Sequence, residues 1–232
     1  MLIAENLNKI HQEISFACQQ ASRSPAEVTL IAVSKTKPAE KVFEALTAKQ
    51  VDFGENYVQE AIQKIAQVAN SQVHWHFIGQ LQSNKAAQVV GAFSLIHSVD
   101  RISLGEVISK VAGQKKITQN ILMQINVGDE ESKSGVHLKD APELFSKLLK
   151  LENISVCGLM ALPPLTENET EQRKFFRLLK TFMSEQLMQL SDSQKSKFKI
   201  LSMGTSSDFK AAIQEGATHI RIGTAIFGAR ES

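Results

Sequence analysis

At 232 residues the chain is long enough to bury an ordinary core, as one large α/β domain or two small ones. Its 26 basic and 24 acidic residues balance to +2, so no clustered cationic excess argues for nucleic acid or an anionic membrane surface. Two cysteines, Cys18 and Cys157, form no close pair of the kind a CxxC redox or zinc motif needs, and they fit a reducing compartment.

No apolar run reaches membrane-spanning length, and the opening MLIAEN lacks the basic and apolar regions of a signal peptide. A soluble, cytoplasmic protein without nucleic-acid or membrane partners is expected. From residue 5 to 21 the apolar positions Leu7, Ile10, Ile14 and Ala17 recur at helical spacing, and the SRSP stretch at 22–25 stops the helix. Thereafter short apolar runs alternate with longer helical patterns. Strands are predicted at 28–35, 51–56, 75–79, 95–100, 121–127, 155–162, 199–204 and 219–223. Helices are predicted at 39–49, 57–68, 84–90, 102–112, 141–151, 169–190 and 209–215.

Eight such strands without an interdomain linker predict an α/β fold, a single (β/α)8 TIM-type barrel over 1–232, with an open doubly wound sheet as the alternative. No GxGxxG follows the first strand, which removes the usual mark of a dinucleotide fold. The chain stops soon after Gly223, too early for a full eighth helix. The extra N-terminal helix is therefore expected to cover that face, and no C-terminal β-domain is expected. Pro163, Pro164 and the polar residues at 166–170 read as an exposed loop.

Barrels place their chemistry at the C-terminal ends of the strands and often hold phosphate after strands seven and eight. Lys35 ends the first strand. It reads either as the first solvated residue after a strand or as an amine that burial makes nucleophilic, able to form a Schiff base with a carbonyl compound. Strand seven runs into SMGTSSD at 202–208, where Gly204 gives way to the hydroxyls of Thr205, Ser206 and Ser207. Strand eight runs into Gly223 and Thr224. Both loops suit an anion, while helix capping by Ser207 or Asp208 is the plainer reading. Asp208 is expected to face away from an anion and stabilise the helix start.

Longer stretches are more specific. AVSKTKP at 32–38, FGENYVQE at 53–60, HWHFIGQLQSNK at 74–85, KSGV at 133–136, GLMA at 158–161 and RIGTAIFG at 221–228 together resemble the YggS/PROSC family of pyridoxal phosphate homeostasis proteins. The resemblance runs from about residue 5 to the end. It implies a monomeric barrel like the N-terminal domain of alanine racemase, with pyridoxal 5′-phosphate (PLP) held as a Schiff base on the first-strand lysine, here Lys35. It further implies that Ser206 binds phosphate, that Gly223 and Thr224 form a second phosphate loop, and that Arg221 faces the pyridine nitrogen. Thr205 departs from the family's usual Met-Gly-Met-Ser, which touches the apolar contact before Ser206 more than Ser206 itself.

Met203 and Gly204 complete the phosphate-side candidates, and Asn56, at the end of strand two, either contacts the ring or caps the next helix. Ile78 and Met160 lie near strand ends as core residues or cofactor contacts. Lys37 shares strand parity with Lys35 but sits beyond it, next to Pro38. His74 and His76 fall on one face without a third ligand, so they are expected to pack or hydrogen-bond, and no metal is expected. Lys133 is a solvated loop lysine or a transient acceptor of the aldehyde. The expected function is PLP binding in vitamin B6 homeostasis without efficient catalysis, with apo PLP-dependent enzymes as recipients. An amino-acid racemase and a Schiff-base aldolase on the same barrel are the alternatives.

Overall fold

Apolar, β-branched runs become strands where both faces can be covered, and the strands here alternate with helices that cover their outer face. The computed structural model describes residues 2–130, 134–164, 166 and 168–229. The strands are β1 (Thr29–Val33), β2 (Asp52–Glu55), β3 (His74–Phe77), β4 (Leu95–Val99), β5 (Gln119–Asn126), β6 (Val136–His137), β7 (Ile154–Ala161), β8 (Ile200–Ser202) and β9 (His219–Ile222). They hydrogen-bond in the order β4-β3-β2-β1-β9-β8-β7-β5-β6, and β4 also pairs with β5. That last pairing closes the sheet into a parallel barrel and excludes the open sheet. β6, two residues beside the end of β5, stands outside the ring and has no counterpart among the predicted strands.

Around the barrel run α1 (Ile3–Gln20), α2 (Ala39–Thr47), α3 (Val58–Val68), α4 (Ala86–Val89), α5 (Ile102–Gln114), α6 (Ala141–Leu148), α7 (Glu169–Leu187), α8 (Asp192–Lys195), α9 (Phe209–Gln214) and α10 (Thr224–Phe227). α1 buries Ile3, Leu7, Ile10, Ile14, Ala17 and Cys18 and packs on α2, α9 and α10. It thus takes the position flanking β1 and β9 that a full last helix would hold. The Asn6 side-chain amide donates to the Ile226 carbonyl at 2.8 Å and ties α1 to the short α10.

Most of the apolar core lies between strands and helices. A smaller cluster of Leu95, Leu122, Cys157 and Met160 packs separately, on the strand face opposite the helices. Residues of that inward parity include a set of polar ones, His76, His97, Ser202 and Arg221, all buried. No described helix is long and apolar enough to cross a membrane.

Candidate functional site

The C-terminal ends of the strands enclose a cavity of about 300 Å³. Alternation decides which side chains reach it. Lys35 follows Val33 inward past the end of β1, Asn56 follows Gly54 past β2, and Ile78 follows His76 past β3. From the opposite side come Thr205 and Ser206 after β8, Arg221 on β9, and Gly223 and Thr224 after it. No acidic side chain lines the cavity among the described residues, whereas Lys35, Lys37 and Arg221 do. An anionic ligand with one reactive end fits that donor set.

Three expected contacts lie elsewhere. Met160 is fully buried in the small cluster with Leu95, Leu122 and Cys157, and Met203 is fully buried in the main core. Gly204 shapes the loop from behind: its φ is +94°, a Cβ there would meet that of Ala212 at 2.7 Å, and its carbonyl accepts from the Arg221 amide at 3.0 Å. Lys133 lies outside the described residues.

A buried charged cluster fixes the Lys35 segment. The Lys64 ammonium, from α3, donates to the Ser34 carbonyl at 2.8 Å, to Glu55 Oε1 at 2.6 Å and to Glu60 Oε1 at 2.9 Å. Ser34 Oγ donates to the same Glu55 oxygen at 2.6 Å, and Glu60 Oε1 accepts from the Thr36 amide at 2.6 Å. Thr36 has a φ of +62°, a conformation non-glycine residues rarely hold without such support. Burial raises the Glu55 carboxyl above its ordinary value, against the opposing pull of Lys64. Lys37 turns its ammonium away to the Ala229 carbonyl at 2.7 Å, which separates it from Lys35 where strand parity could not.

Asn56 does not cap α3, whose N-cap residue is Tyr57. Its Oδ1 is instead buried without a protein partner, an open acceptor at a position that lines the cavity. Across the cavity, Asp208 differs from expectation. It makes no side-chain bond to the α9 start; its Oδ1 accepts from the Thr205 amide at 2.6 Å and the Thr205 hydroxyl at 3.0 Å. The loop's own donors satisfy that carboxylate oxygen in place, and Thr205 has little left to offer a ligand. Ser206 keeps its place at the cavity.

Arg221 is buried, with Nη1 donating to Ser202 Oγ at 2.6 Å and Nη2 to the Ala161 carbonyl at 2.9 Å. Burial lowers its pKa to about 10, so it stays charged at neutral pH. Sequence reasoning missed what lies behind it. His97 Nδ1 stands 2.9 Å from Ser202 Oγ and its Nε2 3.1 Å from His76 Nδ1, while His76 Nε2 reaches Asp52 Oδ1 at 3.0 Å. Strand parity was the available signal, since these side chains all fall on the inward face. His74 also reaches Asp52 Oδ1, at 3.2 Å, so His74 and His76 serve as hydrogen-bonding groups; no set of three or more metal-ligating side chains gathers among the described residues.

A larger groove of about 730 Å³ runs along α6 and α7 on the outside of the barrel, without comparable convergence of strand-end groups.

The profile of the alanine racemase N-terminal domain matches residues 6–231. A pyridoxal phosphate homeostasis protein of Pseudomonas aeruginosa is 44% identical over 229 residues, covering 99% of this chain and 96% of that one. PipY of Synechococcus elongatus, solved with PLP bound, superposes with a TM-score of 0.84 at 37% identity, over 97% of this chain and 100% of PipY. Alanine racemase of Clostridium difficile shares the fold at 16% identity and a TM-score of 0.76, this chain spanning 60% of it.

Proposed function

The chain belongs to the pyridoxal phosphate homeostasis proteins, within the alanine racemase N-terminal domain family, and from that premise we propose that it binds PLP at the barrel mouth and serves vitamin B6 homeostasis. One observation carries the reading: a single cavity with a lysine at one side, hydroxyls and glycine backbone at the other, and no carboxylate among its described lining residues. When bound, PLP supplies an aldehyde carbon open to an amine and an electron-accepting ring.

Lys35 Nζ would hold that aldehyde carbon covalently, on a segment that Lys64 and Glu60 keep in place. Ser206, Gly223 and Thr224 offer donors to the phosphate, and Asn56 Oδ1 offers an acceptor to a ligand donor. Arg221 would face the pyridine nitrogen. A guanidinium keeps its own proton and only donates, so a nitrogen against it stays unprotonated and the ring withdraws electrons weakly. The site is therefore suited to holding the cofactor and passing it to apo PLP-dependent enzymes, and poorly suited to racemising amino acids.

Titration of the purified protein with PLP, followed in the visible range, tests this. The wild type is expected to develop the absorbance of a covalently held aldehyde and Lys35→Ala to lose it. An identical spectrum in Lys35→Ala would overturn the assignment. Incubation of the loaded protein with amino acids should leave their chirality unchanged.

A further inference from the structure

A chain of side chains crosses the barrel interior from Arg221 through Ser202, His97 and His76, all buried, to the half-buried Asp52, and its links measure 2.6, 2.9, 3.1 and 3.0 Å in that order. Its five members come from five strands, β9, β8, β4, β3 and β2, in that order. Such a chain is held in register only by the closed barrel.

The two ends fix the direction once the His76 ring carries a single hydrogen. A guanidinium can only donate, so Ser202 Oγ accepts from Arg221. An ionised carboxylate can only accept, so His76 Nε2 must carry a hydrogen toward Asp52. Burial pushes the Asp52 carboxyl up, but hydrogen bonds and charge from His76 and His74 outweigh it, and the net value is below the ordinary one. Asp52 is thus a carboxylate at neutral pH. A His76 ring with its single hydrogen on Nε2 presents Nδ1 as an acceptor, which requires Nε2–H on His97. His97 Nδ1 is then an acceptor too, and the Ser202 hydroxyl hydrogen points to it. Every donor faces an acceptor, in one direction, from guanidinium to carboxylate. Burial, with the charge of Arg221 beside it, holds the His97 ring neutral as this order demands.

We propose that Ser202 and His97 are positioning residues, which orient Arg221 for the cofactor through a one-way hydrogen-bond chain anchored on Asp52. The side chain of Arg221 has two fixed points, the Ala161 carbonyl and Ser202 Oγ. Ser202 holds its own rotamer only if His97 accepts its hydrogen, and His97 holds its tautomer only if His76 accepts in turn. The consequence for PLP rests on the binding reading above; the direction of the chain does not.

Two measurements separate them. In protein without PLP, long-range ¹H–¹⁵N spectra of the imidazoles at neutral pH should show His76 and His97 both neutral and both in the Nε2–H form. An Nδ1–H tautomer at His97, or an imidazolium at His76, reverses the chain and overturns the proposal whatever the cofactor does. With PLP, His97→Leu should weaken binding about tenfold, the scale of one buried hydrogen bond. His97→Asn, whose Oδ1 falls where Nδ1 stood and can accept from Ser202, should recover most of that loss. Equal losses in the two variants, with the tautomers as expected, would reduce His97 to a packing residue and sink the positioning role. Absence of PLP binding in the wild type would instead remove the binding reading and leave the spectra as the test of the chain.

Discussion

Behind Lys35, on the β1–β2 side of the cavity, Ser34, Glu55, Glu60 and Lys64 exchange hydrogen bonds within a buried charged cluster. On the β8–β9 side the groups facing the cavity are hydroxyls, glycine backbone and one guanidinium, and the acidic Asp208 is occupied by Thr205. The first side fixes a backbone segment by charge; the second meets a charge that arrives with the ligand chiefly with hydroxyl and backbone donors. The contrast follows from what each must do. An amine that forms a covalent bond needs an exact starting point, whereas an anion is best met by donors that need no counter-ion when it is away.

The largest effect should come from the charged side. Lys64→Met leaves the Glu55 carboxyl fully buried without its cation, a change expected to cost about 3–5 kcal/mol in urea unfolding. It also releases the Ser34 carbonyl, so covalent capture by Lys35 should fall with stability. The double change Lys64→Met with Glu55→Gln should recover much of the loss, because a neutral pair no longer strands a charge. A loss below about 1 kcal/mol in the single variant would mean that the cluster does not hold this wall.

The histidines inside the barrel give the next effect. His97 is pushed well below its ordinary pKa by burial and by the charges of His76 and Arg221. His219 is lowered to about 4, mainly by burial and then by His76. In both, the folded protein binds a proton less readily than the unfolded chain. Their contribution is complete above the unfolded value, about 6.5, and is lost as pH falls. For His219 the loss runs out near pH 4 and reaches about 3 kcal/mol at most, less as solvent reaches the half-buried ring. Glu55 works in the opposite sense: its folded value is raised, so its contribution weakens as pH rises through that value. Denaturation at pH 7.5, 6 and 5 should show falling stability, with a flatter profile in His219→Asn. An unchanged slope in that variant would contradict the assignment.

Smaller effects separate the neutral donors. Ser206→Ala should weaken PLP binding about tenfold, and Thr205→Ala only about threefold, since the Thr205 donors already serve Asp208. Equal losses in equilibrium titration would mean that the two hydroxyls are equivalent to the ligand.

These distinctions were unevenly legible in the sequence. The barrel strands were readable because parallel strands covered on both faces leave continuous apolar runs, and closure followed from their number. Lys35 and Arg221 stand within long motifs and Ser206 within a short hydroxyl-rich loop after a strand, and all three line the cavity. Lys64 was not legible. Four residues after Glu60 it reads as a surface i,i+4 pair, and only the packing of α3 against β2 shows it to be buried. His97 was equally hidden, because its partners Ser202 and His76 are 105 and 21 residues away and meet only inside the closed barrel. Asp208 was misjudged because an acidic residue before a helix reads as a cap, while the preceding turn offered it two nearer donors.

The central claim is that Lys35 holds PLP. Loaded protein treated with borohydride, digested and mapped by mass spectrometry should carry the reduced pyridoxyl group on Lys35. A group found instead on Lys37, or on no lysine at all, would contradict the account.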